Sequence, residues 1–192
     1  MVLTLLVGCG ADVALRPLPA DAVILAFGDS LTHGTGVTPA QSYPAVLESM
    51  IGRRVVRAGV PGEITRVGLA RIAGVLSEHR PDLVLICHGG NDILRGIRTS
   101  EIRENLGAMV QAVLDVGAEV VLIGVPSRSL SLAPPRLYRD IAAAHGIALD
   151  DEVLPEVLGS AAMKSDTVHP NAKGYRRIAE RVATLLRDLG AV

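Results

Sequence analysis

Gly28-Asp29-Ser30 closes the apolar run Ala22–Phe27, and far along the chain Asp166 and His169 stand three residues apart in a turn closed by Pro170. A serine hydroxyl is a poor nucleophile until a base takes its proton. The usual base is an imidazole, which needs an acid to fix its tautomer and stabilise its cation. The Asp166-x-x-His169 spacing lets one short loop carry both groups, with Asp166 within reach of the ring nitrogen turned away from Ser30. Taken alone, the same pair also describes an acid in a turn and an exposed histidine ahead of a helix. Attack on a carbonyl further needs donors aimed at the developing oxyanion. Gly59, Gly62, Gly89 and Gly90 make loops whose backbone can approach a substrate closely. Asn91 adds a side-chain amide donor.

These residues need a frame that gathers them. Strand-like apolar runs are expected at Val23–Phe27, Arg54–Arg57, Leu83–Cys87, Val120–Gly124 and Ile147–Leu149. Helical patterns fall between and after them, at Gln41–Ile51, Glu63–His79, Ser100–Val116, Pro134–His145 and Asn171–Leu189. The last is amphipathic: Tyr175, Ile178, Val182, Leu185 and Leu189 recur at three- and four-residue steps. Alternating strands and helices imply right-handed crossovers and a parallel sheet covered on both faces. Ligands bind such sheets beyond the carboxyl ends of the strands. The polar and glycine-rich stretches all fall there: Gly28-Asp29-Ser30, Ala58–Glu63, His88–Asp92, Val125-Pro126-Ser127 and Asp166–Pro170.

The bulk composition agrees with this frame. A chain of 192 residues fits one domain and buries roughly two thirds to three quarters of its unfolded surface without a metal or disulfide staple. Apolar residues make up 49% but aromatics only 2%, so the core is aliphatic, as in a sheet buried on both faces. A net charge of −1 argues against a nucleic-acid binder, which would usually show a basic stripe. No apolar run approaches membrane-span length. Cys9 and Cys87 carry no disulfide pattern, and Cys87 reads as a small buried hydrophobe. Gly34-Thr35-Gly36 lacks the spacings of nucleotide-binding loops.

Residues 1–20 read as a segment distinct from the domain at 21–192. The stretch Leu6-Val7-Gly8-Cys9 resembles a bacterial lipobox, which implies export and a lipid anchor at Cys9, although no Lys or Arg precedes the short apolar core. Without such a signal the chain would stay in the cytoplasm. Arg16-Pro17-Leu18-Pro19 reads as an extended linker.

Taken in order, the motifs resemble those of the GDSL, or SGNH, hydrolase family. Gly28-Asp29-Ser30-Leu31 is similar to its first block, the Gly62 region to its second, Gly90-Asn91-Asp92 to its third and Asp166-x-x-His169-Pro170 to its fifth. The resemblance spans about Val23 to Leu189 and is nearest to the bacterial arylesterase, thioesterase I and lysophospholipase branch. It implies a three-layer α/β/α sandwich with a flavodoxin-like parallel five-stranded sheet. It also implies Ser30 as nucleophile, His169 as base and Asp166 as its orienting acid. The implied oxyanion hole comprises the N–H groups of Ser30 and Gly62 and the Asn91 side chain. The implied substrate is a small acyl ester or thioester. Arg57 departs from the pattern, since the second block of this branch often begins with Asn; Gly59 is therefore a rival to Gly62. The same chemistry would serve a carbohydrate O-deacetylase, and a ligand-binding lipoprotein without catalysis is the reading from another class.

Other polar residues carry structural expectations. His33 is expected to line the pocket or face solvent, His88 to have a structural role, and Asp92 to order its loop. His79 and His145 fall near helix C-termini, where a cation is favoured. Cys87-His88 lacks the further ligands of a zinc site, so neither metal nor cofactor is implied. The loop Ser127–Pro135 offers Leu130 and Leu132 as substrate contacts. Nothing in the sequence demands more than a monomer.

Overall fold

The aliphatic runs form five strands: β1 (Val23–Gly28), β2 (Arg54–Gly59), β3 (Leu83–Cys87), β4 (Glu119–Ile123) and β5 (Ala148–Asp150). They make one parallel sheet in the order β2-β1-β3-β4-β5. These assignments come from a computed structural model, which describes residues 13–127 and 132–192. Cys9 and Leu130 lie outside the described residues. Every residue of β3 is buried, as expected of a central strand covered on both faces.

In chain order the helices are α1 (Ser30–His33), α2 (Tyr43–Ile51), α3 (Thr65–His79), α4 (Gly90–Arg95), α5 (Thr99–Asp115), α6 (Leu137–His145), α7 (Val153–Gly159) and α8 (Ala172–Asp188). α2 and α7 pack against α8, while α3 and α6 pack against α5. The result is the expected α/β/α sandwich. α8 buries Tyr175, Ile178, Val182 and Leu186, and leaves Leu185 and Leu189 at the edge of the core. The buried row steps by three, four and four residues, which follows the helical repeat more closely than the Leu185 register does. Residues 13–20 also join the fold. Leu15 N–H donates to Leu189 O (2.9 Å), Leu18 N–H donates to Ala191 O (2.8 Å), and both leucine side chains are buried.

Three helix starts fall two or more residues later than periodicity suggests. α2 begins at Tyr43 rather than Gln41, since Pro39–Gln41 form a separate 3-10 turn. α3 begins at Thr65 rather than Glu63, because the Asp92 carboxylate accepts the Thr65 N–H there. α6 begins at Leu137 rather than Pro134, because Pro135 disfavours helical backbone at the residue before it. The short helices α1, α4 and α7 carry too few residues to show a period.

The strand order reverses direction between β1 and β3, a topological switch point where the connections diverge. At this place the strand ends are level: Gly28 pairs with Gly59 on one side and with Cys87 on the other. A methyl group on Gly28 would lie 2.1 Å from the Cys87 carbonyl oxygen, and one on Gly59 would lie 2.2 Å from His33 N. Both contacts are with backbone, which cannot swing aside. Gly74, exposed in α3, has open space around it. Gly28→Ala is therefore expected to destabilise at or beyond the upper end of the roughly 1–3 kcal/mol range for overpacking. Gly74→Ala should stabilise by about 0.5–1 kcal/mol through helix propensity. Urea unfolding midpoints of the two variants check this contrast.

Candidate active site

Ser30 is the first residue of α1, directly beyond β1, so its N–H has no intrahelical acceptor. Asp29 caps the helix by accepting the Leu31 N–H (3.1 Å). Asp29 is buried, and burial pushes its carboxyl up, only partly offset by His88 and the Leu31 N–H. The helix ends at Gly34, and Arg57 donates to the His33 carbonyl behind it (2.8 Å). Arg57 thus braces the far end of the turn that carries Ser30.

Asp166 and His169 come from the loop before α8. One carboxylate oxygen, Oδ1, accepts the N–H groups of Val168 and His169, each at 2.8 Å, and so closes the turn. The other, Oδ2, lies 2.7 Å from His169 Nδ1. A carboxylate can only accept, so Nδ1 carries the proton and Nε2 keeps its lone pair. Nε2 lies 3.0 Å from Ser30 Oγ. Burial acts to raise the Asp166 carboxyl, but the bonds from His169 and the two N–H groups outweigh it and hold the group below the usual carboxylate range. The loop is pinned on its other side by Asn171. Its Oδ1 caps α8 at Lys173 N and Gly174 N, and its Nδ2 donates to Ala162 O and Lys164 O.

Gly62 and Asn91 approach from β2 and β3. Gly62 has φ +77°, a conformation open to glycine, and its carbonyl accepts from Arg95 (3.0 Å). Asn91 Nδ2 donates to Glu63 O (3.0 Å) and to Asp29 Oδ2 (3.2 Å), which aims its amide at the turn holding Ser30. Asp92 faces the other way: it accepts from Thr65 N and Thr65 Oγ1 and orders the start of α3. His88 is fully buried, with its ring between Glu63 and Gly89 N. His33, His79 and His145 end α1, α3 and α6.

These groups share a cavity of about 660 Å³, within the usual range for small-molecule sites. Asp29, Ser30, Gly62, Asn91 and His169 all line it, whereas Gly59 does not. Leu132 lines it as well, in left-handed backbone (φ 51°) and against Gly159. Much of the remaining wall is apolar and was not singled out from sequence: Pro61, Ile93, Leu94, Val125, Leu158 and Val168. Leu158 belongs to α7, a helix of seven residues that is too short to show its period in the sequence. Among the described residues no group of three or more His, Cys, Asp or Glu side chains is placed to hold a metal ion. Cys87 is a free, buried thiol whose burial pushes its titration up.

Known proteins resemble this chain in sequence and in fold. The chain is 33% identical to the esterase TesA of Pseudomonas aeruginosa over 96% of its own length and 98% of that protein. It is 31% identical to thioesterase 1/protease 1/lysophospholipase L1 of Escherichia coli K12, over 92% of this chain and 88% of that one. The crystal structure of TesA superposes with a TM-score of 0.77 at 32% identity, covering 87% of this chain and 99% of the other. The GDSL-like Lipase/Acylhydrolase family matches residues 26–177, a span that takes in Ser30 and His169 alike. With that span matched and relatives aligned nearly end to end, the chain belongs to the GDSL-like lipase/acylhydrolase family.

Proposed function

We propose that the chain hydrolyses carboxylic esters and thioesters by acyl transfer through Ser30. The observation that carries this reading is the continuous line of hydrogen bonds from Asp166 through His169 to Ser30 at the wall of a largely apolar cavity. Ser30 Oγ attacks the substrate carbonyl carbon while its proton passes to His169 Nε2. The carbonyl electron pair moves onto oxygen, and the N–H groups of Ser30 and Gly62 and the Asn91 amide stabilise that oxyanion. Of the two Asn91 bonds, the longer one to Asp29 is the one exchanged for the oxyanion. The intermediate collapses, the carbon–oxygen or carbon–sulfur bond to the leaving group breaks, and His169 returns the proton to the alcohol or thiol. Water then repeats the sequence on the acyl-enzyme, and Ser30 leaves with the proton.

The apolar wall supports a substrate with an aliphatic or aryl acyl portion. The apolar lining by Ile93, Leu94, Val125 and Leu158 matches a hydrocarbon chain better than a sugar ring rich in hydroxyls, which favours acyl esters over sugar acetates. The names of the esterase and thioesterase relatives point the same way.

Across p-nitrophenyl esters from C2 to C16, kcat/KM should rise by at least about tenfold between acetate and hexanoate, since each buried methylene is worth up to roughly 0.8 kcal/mol. Ser30→Ala should be folded and inactive on every chain length. A serine variant with residual turnover near wild type would refute the reading, and a flat profile would refute the preference for longer acyl chains. Asp166→Asn should lower kcat about 100-fold or more by freeing the wrong imidazole tautomer. Asp166 is held below the usual range and so stays charged at every pH above it. The kcat deficit should therefore persist from about pH 5 to about pH 9, as pH–rate profiles of both proteins will show.

A further inference from the structure

A second set of buried charges lies beneath the loops that carry Gly62 and Asn91. The Glu63 side chain is 2% exposed and the His88 side chain fully buried. Glu63 Oε1 and Oε2 accept from Arg71 Nε at 2.7 and 3.0 Å, and Oε2 lies 3.1 Å from His88 Nε2. Gly89 N–H donates to His88 Nδ1 (2.9 Å), so the ring proton sits on Nε2 and points at Glu63. Burial acts to raise the Glu63 carboxyl, but the bonds from His88 and Arg71 outweigh it and hold the group below the usual range. Arg71 reaches further. Its Nη2 donates to Ala58 O (2.8 Å) and Gly28 O (3.2 Å) at the ends of β2 and β1, and its guanidinium lies 4.0 Å over the Phe27 ring.

A buried ion pair is weak evidence of stabilisation, because desolvating ions offsets much of their attraction. The place of this network, rather than its contribution to stability, explains it. Glu63 follows Gly62 directly, and His88 precedes Gly89-Gly90-Asn91. Glu63 joins these two loops twice, through its carboxylate to His88 and through its carbonyl to Asn91 Nδ2 (3.0 Å). α3 accommodates the junction with a glycine. A methyl group on Gly68 would lie 2.6 Å from His88 Nε2 and 3.2 Å from Glu63 Oε2. A glycine inside a helix costs roughly 0.5–1 kcal/mol relative to alanine.

We propose that Glu63 is a positioning residue for the oxyanion hole. Gripped by Arg71 and His88, it holds the Gly62 N–H and the Asn91 amide in one relation to Ser30. This rests on Gly62 and Asn91 being the oxyanion donors. Misplacing such donors by about an ångström costs up to roughly 100-fold in rate, and the loss falls on kcat because the oxyanion exists only during reaction.

The test measures kcat and KM on a soluble p-nitrophenyl ester for the full chain and its Glu63→Ala, Glu63→Gln, His88→Leu, His88→Gln, Asn91→Ala and Asn91→Ala/Glu63→Ala variants, with thermal melts to establish folding. Glu63→Ala should lower kcat about 10- to 100-fold with KM within about twofold of wild type. His88→Leu should lower kcat about tenfold, and His88→Gln, whose amide can still donate to Glu63, should recover most of it. Glu63→Ala should cost less in the Asn91→Ala background than in wild type, since the two changes share the Asn91 donor and only the Gly62 N–H is left to be displaced. The proposal is overturned if folded Glu63 variants keep kcat within about twofold of wild type, or if the Glu63 and Asn91 effects multiply. Should Glu63→Ala not fold, Glu63→Gln and the His88 pair decide the matter by the same kcat comparison. An active Asn91→Ala removes the oxyanion reading and this proposal together; a slow Asn91→Ala beside active Glu63 variants removes this proposal alone.

Discussion

At the carboxyl end of β1 the chain has room for hydrogen atoms and nothing larger. Gly28 is pressed against the Cys87 carbonyl, and Gly59 against the backbone of α1. This close approach lets three parallel strands end level with one another, so that the loops leaving them converge on one spot. Ser30 stands two residues beyond that contact, at the point where the sheet's connections diverge. A bulkier strand end would push α1 outward and carry Ser30 away from His169, whose loop is anchored independently on α8.

The two sides of the site are built by opposite electrostatic means. Asp166 is largely exposed, with a side chain 54% accessible, and its charge is sustained by solvent together with the N–H groups of its own turn. Glu63 is buried, and its charge is sustained by Arg71 and His88. Both carboxyls are held below their ordinary range, yet they do different work. The Asp166 turn orients one ring through bonds that are local in sequence. The Glu63 network spans the chain from Gly28 to His88 and fastens strand ends to loops. The first needs only a short motif, whereas the second needs the assembled sheet.

Much of the fold was legible because its signals are local. Leu83–Cys87 reads as a covered strand from composition alone, and it is one. α8 reads as amphipathic from spacing, although the innermost leucine is Leu186 rather than Leu185, since packing follows the true helical repeat. The short helices α1, α4 and α7 gave too little period to read, and the apolar cavity wall from Pro61 to Leu158 was missed with them. Glu63 read only as the end of a polar loop and the start of a helical pattern, and Arg71 was not singled out, because nothing in their spacing marks a partner as distant as His88. Arg57, which breaks the second motif, donates to the carbonyl of His33, a contact between residues 24 apart in sequence.

The amino-acid sequence by itself determined which chemistry is available here. Hydroxyl, imidazole, carboxyl and amide groups stand in motifs whose order and side-chain types are fully specified by the chain, as is the Asp166-x-x-His169 turn that sets the imidazole tautomer. The tertiary structure alone decided whether those groups meet. Ser30 and His169 are 139 residues apart, and their 3.0 Å approach depends on strand order, level strand ends and the seating of α8. The same holds for the choice between Gly62 and Gly59 as a cavity wall and for the ties among Glu63, Arg71 and His88. The reason is that covalent spacing dictates geometry only over a few residues, whereas distance across a sheet is set by packing, which no single stretch of chain contains.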